Sequence, residues 1–342
     1  MLDRLEREGM EAVHCRFDPV SGLKSYIAIH NTHRGPALGG CRFIHYDSDE
    51  EALNDAIRLA RGMSYKAALA DVPQGGGKAV IMRPPGDFDA AALFRAFGDF
   101  VDSLGGRYIT AIDAGTSAQE MDWVAERTRF VTSTSRAGNP SPFTARGVLA
   151  GIRAAVAHRF GSEDLSGVHV AIQGVGHVGA PLAEALAEAG AMLTLSDIDP
   201  HQLDRVATRT NAHVVAPEAI HSVACEVFSP CGLGGIINER TRGQLRCAIV
   251  AGSANNQLQR PEDGVALYKS NILYAPDYVI NAGGLIYASL HYHGEATETI
   301  ERRCDAIGST LETLFQRAER EGQPPSETAD HLAREILEGH HD

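Results

Sequence analysis

A chain of 342 residues, 44% hydrophobic and 22% charged, has an ordinary globular composition and the length of about two domains, with no tract biased enough to stay disordered. Its net charge of −13 argues against a phosphate-backbone-binding surface, so no nucleic-acid partner is expected. Six cysteines, at 15, 41, 225, 231, 247 and 304, include no C-x-x-C pair, which predicts neither a zinc site nor a disulfide framework, and no metal.

The opening stretch MLDRLEREGMEAVHCRF mixes both charge signs and lacks an apolar leader core, and no later run reaches the roughly 18 apolar residues of a membrane span. A cytoplasmic protein with no membrane partner is expected. Residues 49–70 set Ala52, Ala56, Leu59 and Met63 three and four apart behind an acidic start, the pattern of a helix with one apolar stripe, and Lys66 falls near its end. Next comes VPQGGGKAVI, 72–81, whose three glycines predict a sharp bend or a backbone that another molecule approaches. Lys78 follows them directly and leads into the strand-like Ala79-Val80-Ile81.

A helix is expected over 89–104 and a short buried strand over 108–113, ending on Asp113. The segment STSRAGNPSPF, 133–143, reads as an interdomain connection. Beyond it TARGVLAGIRAAVAHRF is helical, and VHVAIQGVGHVGAPLAEALAEAGAMLTLSDID reads as strand, glycine turn, helix, strand. Strand-like pieces recur at VACEVFSPC, CAIVAGSA and ILYAPDYVINAGG between helical stretches, as a parallel sheet requires. The expected fold class is therefore α/β in two domains, 1–138 and a doubly wound Rossmann-type 139–320, with a charged helical segment 321–342 that returns to the first domain.

Gly174, Gly176 and Gly179 form G-x-G-x-x-G directly after a strand and at the head of a helix, with His177 and Val178 inside the loop. Asp197 ends the following strand, where its carboxylate can accept hydrogen bonds from ribose hydroxyls while a pyrophosphate lies on the helix N-terminus. Ile198 and Asp199 follow with no adjacent cation, so a 2′-phosphate would meet negative charge and NAD is expected over NADP.

Lys66, Lys78 and Asp113 each have a plain structural reading, as helix-end or turn residues. Together with their surroundings they resemble a known family. GPALGGCR (35–42), GMSYKAALADVPQGGGKAVI (62–81), YITAIDAGT (108–116), QGVGHVG (173–179), FSPCGLGGIIN (228–238), VAGSANNQL (250–258) and YAPDYVINAGGLI (274–286) are similar, in order, to the motifs of the glutamate/leucine/phenylalanine/valine dehydrogenases, on the leucine and phenylalanine side. The resemblance implies an amino-terminal substrate and oligomerisation domain, a carboxy-terminal NAD domain, a cleft between them and a homo-oligomer. It implies that Lys66 holds the substrate α-carboxylate beside Gly39, that Lys78 is the catalytic lysine, and that Asp113 exchanges protons with the amino group. Asn255 would reach the substrate, and Thr144 and Asn281 the nicotinamide. A lysine working near neutral pH needs a lowered pKa, expected here from desolvation and from Lys66, while the glycines beside it would let substrate and cofactor approach. Three positions depart from the pattern: His177 in the cofactor loop, Ala114 after Asp113, and Ile112 before it, where an acidic residue is frequent and a change should shift the Asp113 pKa.

In the same family, glutamate enzymes use a lysine where this chain has Leu38. A carboxylate buried against leucine would cost several kcal/mol, so glutamate should be rejected. Ala111, Leu285 and Ala288 complete the side-chain pocket by resemblance, and Ala288 replaces a valine and widens it. The expected reaction is reversible NAD-dependent oxidative deamination of a branched-chain aliphatic L-amino acid, with phenylalanine as the alternative substrate. The rival readings are a 2-hydroxy-acid dehydrogenase, which would want a histidine and an arginine, and an NAD-binding regulatory protein without chemistry.

Overall fold

The computed structural model describes residues 2–339; Met1 and the last part of the expected C-terminal segment, 340–342, lie outside the described residues. Two compact units make up the chain. The first gathers the described residues up to Asn139 with Ala288–Glu295 and the chain from Ala333, and the second holds Pro140–Tyr287 and Ala296–Leu332. The segment Ala288–Glu295 thus counts with the first unit, where the linear reading ran the second domain through it.

In chain order the first unit contains α1 (Leu2–Arg7), β1 (Ala12–Asp18), β2 (Leu23–Asn31), β3 (Ala37–Ile44), α2 (Asp49–Leu69), β4 (Gly75–Met82), α3 (Ala90–Asp102), β5 (Tyr108–Ile112) and α4 (Ala118–Ala125). Its sheet runs β1-β2-β4-β3-β5, antiparallel through β1, β2 and β4 and parallel through β4, β3 and β5. Side chains alternate across a sheet, so each strand feeds two cores. Ile27, Ile29, Cys41, Phe43, Ala79, Ile81 and Tyr108 pack with Leu93, Phe94 and Phe97 of α3 and Met121 of α4. Ala28 and Val80 face the other way, against Ala52, Ala56, Ile57 and Ala60 of α2.

The buried stripe of α2 follows Ala52, Ala56, Ala60 and Ser64, while Leu59 and Met63, expected on it, are only half-buried. Small residues win the contact because the helix lies very close to the sheet. That closeness also corrects the reading of the glycines. Gly75, Gly76 and Gly77 form no bend: they are the first three residues of β4. A Cβ on Gly75 would come 1.8 Å from the Asn31 carbonyl oxygen, and one on Gly76 would come 2.0 Å from the Ser64 amide nitrogen of α2. The protein's own backbone fills the space that the sequence reading left for a substrate. Gly76→Ala should therefore destabilise the first unit by about 1–3 kcal/mol or more, because the α2 backbone at Ser64 cannot yield without moving the helix. Its urea midpoint should fall, and an unchanged midpoint would show that α2 can move aside.

The second unit begins with α5 (Ser141–Phe160), β6 (His169–Gln173), α6 (Gly179–Glu188), β7 (Met192–Ser196), α7 (Pro200–Thr210), β8 (His213–Val214) and β9 (Ala224–Pro230). It continues through α8 (Glu239–Arg242), β10 (Arg246–Val250), α9 (Pro261–Lys269), β11 (Leu273–Tyr274), α10 (Asp277–Ile280), α11 (Gly283–Tyr292), α12 (Thr297–Asp305), α13 (Ile307–Glu321) and α14 (Pro325–Glu338). The last residues of α11 and of α14 count with the first unit. All six strands are parallel, in the order β11-β10-β9-β6-β7-β8, so the first strand of the unit lies inside the sheet and the chain winds outward in both directions. Such a reversal point, outside the carboxyl ends of the strands, is where α/β sheets bind ligands. No helix of the described residues is long and apolar enough to cross a membrane.

Candidate active site

Register brings the candidate residues of the first unit together. Leu38 pairs with Gly76 and Ile109, Gly40 with Ala111, and Arg42 with Val80. Because Val80 faces α2, the alternation puts Leu38, Gly40, Arg42, Lys78, Ala111 and the residue following β5, Asp113, on that same face. Lys66 stands half-buried in the last turn of α2, where a cation also suits the exposed carbonyls. Gly39 lies on the opposite face: its Cβ would meet the Gly77 carbonyl oxygen at 1.8 Å, and its own carbonyl accepts from the Tyr108 hydroxyl at 2.6 Å.

At the centre of this face Lys78 Nζ lies 3.0 Å from Asp113 Oδ1, with the lysine side chain only 5% exposed. The other carboxylate oxygen, Oδ2, accepts from Arg42 Nε at 2.8 Å. A Cβ on Gly40 would lie 2.7 Å from the Asp113 Cβ, so glycine at 40 makes the room that the aspartate occupies. Thr116 pins the backbone there, its hydroxyl accepting from the Asp113 amide at 2.9 Å and lying 3.0 Å from the Cys41 carbonyl that it donates to.

Burial lowers the pKa of the Lys78 ammonium below the usual lysine value; Asp113 opposes this and Arg42 adds to it. Arg42, which the sequence reading did not name, acts on Lys78 in the direction expected there of Lys66. Burial pushes the Asp113 carboxyl up, but the Lys78 and Arg42 charges and their hydrogen bonds outweigh it and hold the group below its ordinary value. Ile112, expected to tune Asp113, projects from the opposite face and is exposed. Arg42 is the residue that sequence reasoning passed over. The signal was present, since Arg42 closes the quoted motif GPALGGCR.

In the second unit, Gly174 has φ +90°, and Gly179 opens α6 with no space for a Cβ, which would sit 2.0 Å from the Gly174 carbonyl oxygen. Gly176 differs: nothing lies within 4 Å of where its Cβ would be. Two glycines thus serve the turn and one leaves an open cradle. Val178 caps α6 without a side-chain hydrogen bond, so the helix offers its N-terminal amides to an anion beside exposed His177. Asp197 is fixed below, its Oδ2 accepting from the Val175 amide at 2.7 Å and its Oδ1 from the Asp199 amide at 2.9 Å. Lone pairs on both oxygens remain for ribose hydroxyls. Asp199 itself caps α7 through the His201 and Gln202 amides. These residues fit a dinucleotide.

Asn281 is buried and its side-chain amide donates to the Ser253 carbonyl at 3.1 Å and to Asn255 Oδ1 at 2.8 Å. Gly283, two residues on, would place a Cβ 2.8 Å from the Thr144 Cα. Asn255 and Asn281 are therefore in contact, and Thr144 lies against Gly283, two residues after Asn281. Leu285 follows in α11, buried. Ala288 is buried within the first unit, its carbonyl accepting from the Thr132 hydroxyl at 3.3 Å. Among the described residues no group of three or more His, Cys, Asp or Glu is placed to hold a metal ion.

A buried lysine paired with a half-buried carboxylate on one α/β unit, and an open glycine turn with an acidic residue one strand on in another, define a two-unit α/β dehydrogenase. Residues 10–130 match the Glu/Leu/Phe/Val dehydrogenase dimerisation domain, and residues 198–329 match the Glutamate/Leucine/Phenylalanine/Valine dehydrogenase family. Leucine dehydrogenase of Thermoactinomyces intermedius is 45% identical over 99% of this chain and 93% of its own length. Phenylalanine dehydrogenase of Bacillus thermotolerans is 43% identical over 96% of this chain and 88% of its own. The solved structure of L-tryptophan dehydrogenase from Nostoc punctiforme superposes with a TM-score of 0.91 at 40% identity, covering 99% of both chains. The chain belongs to the glutamate/leucine/phenylalanine/valine dehydrogenase family and is an amino acid dehydrogenase.

Proposed function

We propose that the protein oxidises a branched-chain aliphatic L-amino acid, leucine or valine, with NAD, releasing the 2-oxo acid and ammonia in a reversible reaction. The observation that carries the reading is the pairing of buried Lys78 with half-buried Asp113 on the sheet face that also bears Leu38 and Ala111. Lys66 pairs with the substrate carboxylate. NAD held at the glycine turn would supply the hydride acceptor for the substrate Cα, the loss of that hydride leaving the amino acid as an iminium ion. Lys78, whose pKa burial lowers, takes a proton from the water that adds to that carbon. Asp113 exchanges protons with the departing nitrogen, so that amino acid, water and NAD together give 2-oxo acid, ammonium, NADH and one released proton. Asn255 orients the substrate, and Thr144 and Asn281 the nicotinamide.

Gly174, Gly176, His177, Val178 and Gly179 hold the pyrophosphate, and Asp197 the adenosine ribose. Anchored Asp197 with Asp199 close behind supports NAD over NADP. Apolar Leu38, Ala111, Leu285 and Ala288, all buried, support an apolar side chain over that of glutamate. The small Ala288 and the phenylalanine and tryptophan dehydrogenases among the relatives support an aromatic amino acid as the second reading. The protein is read as a cytoplasmic homo-oligomer associating through the matched dimerisation domain.

NADH formation across the twenty amino acids at alkaline pH tests this. Leucine or valine should lead, and NAD should exceed NADP by about tenfold or more in kcat/KM, since the repulsive carboxylates act against one cofactor alone. Phenylalanine or tryptophan leading would move the assignment to the second reading, and silence with every amino acid would leave an NAD-binding protein without this chemistry.

A further inference from the structure

The proposed chemistry needs a state that burial opposes: Lys78 neutral while Asp113 remains a carboxylate. If Asp113 had Lys78 as its only cation, a proton lost from the pair would leave a net negative charge in an enclosed site, so the pair would keep that proton to higher pH. Lys78 would then be a free amine beside a carboxylate only at strongly alkaline pH. Arg42 changes this balance. Its guanidinium cannot give up a proton at any working pH, and it is held between two carboxylates. Nε lies 2.8 Å from Asp113 Oδ2 and Nη1 lies 2.8 Å from Asp55 Oδ2. Asp55 is fixed in turn by the Tyr46 hydroxyl at 2.8 Å and by Arg58 Nη2 at 2.6 Å. The aim of Nε at Asp113 is thus built from behind.

We infer that Arg42 is a positioning residue for catalysis, whose permanent charge and oriented Nε keep Asp113 ionised and aimed at Lys78 after Lys78 has lost its proton. This rests on the proposed deamination. The groups around Asp113 are Lys78 on β4, Arg42 and Cys41 on β3, Tyr108 on β5 and Glu120 on α4, with Asp55 and Arg58 of α2 and Tyr46 behind Arg42, and Lys66 in the last turn of α2. Cys41 and Tyr108 are buried and pushed well above their ordinary values, so they stay neutral while the pair titrates. Among these groups Arg42 combines a fixed positive charge with a hydrogen bond to Asp113.

The experiment follows kcat/KM against pH for the amino acid that the wild type oxidises, in Arg42→Gln and Arg42→Lys, with the urea unfolding midpoint as the check that each variant is folded. Removing the cation lets both Asp113 and Lys78 keep their protons longer, so the ascending limb in Arg42→Gln should move up by about one pH unit or more, the usual effect of one close charge. kcat should fall more than KM rises. Arg42→Lys keeps the charge, so its limb should stay within a few tenths of a unit of the wild type. Arg42→Gln with a lowered kcat and an unmoved limb would reduce Arg42 to packing, and a limb in Arg42→Lys displaced by a full unit would overturn the role of its charge. A wild type silent with all amino acids would instead sink the proposed function, and this inference with it.

Discussion

Lys78→Ala should lower kcat by about a hundredfold or more on the preferred amino acid, the usual loss when a positioned acid or base is removed, while NADH still binds with near wild-type affinity. The two readouts separate because Lys78 belongs to the first unit and the glycine turn to the second. Wild-type kcat/KM should rise with pH along a limb that lies below the 10.5 of an ordinary lysine, because burial favours the neutral amine and Arg42 adds to the effect. Asp113→Asn should match the loss in kcat, since the group that takes the nitrogen's proton is gone. In that variant the limb should move down, as the anion that favours protonated Lys78 has been removed. Either variant retaining more than about a tenth of wild-type kcat would remove its residue from the catalytic assignment.

Leu38→Lys carries the second large effect. Leu38 is 1% exposed on the face shared with Lys78 and Ala111. An ammonium there must be desolvated with no carboxylate supplied by an aliphatic substrate, which costs several kcal/mol. Activity on leucine should fall by about a hundredfold or more in kcat/KM. Glutamate brings a γ-carboxylate that can pair with the new charge, so its kcat/KM relative to leucine should rise. Measured side by side in wild type and variant, an unchanged ratio would show that Leu38 does not contact the substrate side chain.

Local chemistry wrote part of this molecule legibly. Gly174, Gly176, Gly179 and Asp197 could be read because a strand, a tight turn and a helix follow one another within some thirty residues, and each step has its own residue requirement. The second unit's alternation of strand and helix was legible for the same reason. In the first unit β1, β2 and β3 went unseen, and β4 was read only from Ala79 onward. Their sequences carry glycines or mixed polarity, and glycine has little strand propensity of its own.

The sequence by itself determined the parallel sheet with its dinucleotide turn, the apolar identity of residue 38, and the presence of Lys66, Lys78 and Asp113 as candidates, since each of these depends on residue type and short spacing. Only the tertiary structure decided why the glycines precede Lys78 and that Arg42 belongs to the site. Gly76 exists for Ser64 of a helix packed almost onto the sheet, and Arg42 meets Asp113 across 71 positions of chain through the register of β3 beside β5. A contact between residues so far apart leaves no periodic trace in sequence; it arises when strand pairing brings Arg42 and Asp113 to one face and the buried environment makes their charges interact strongly.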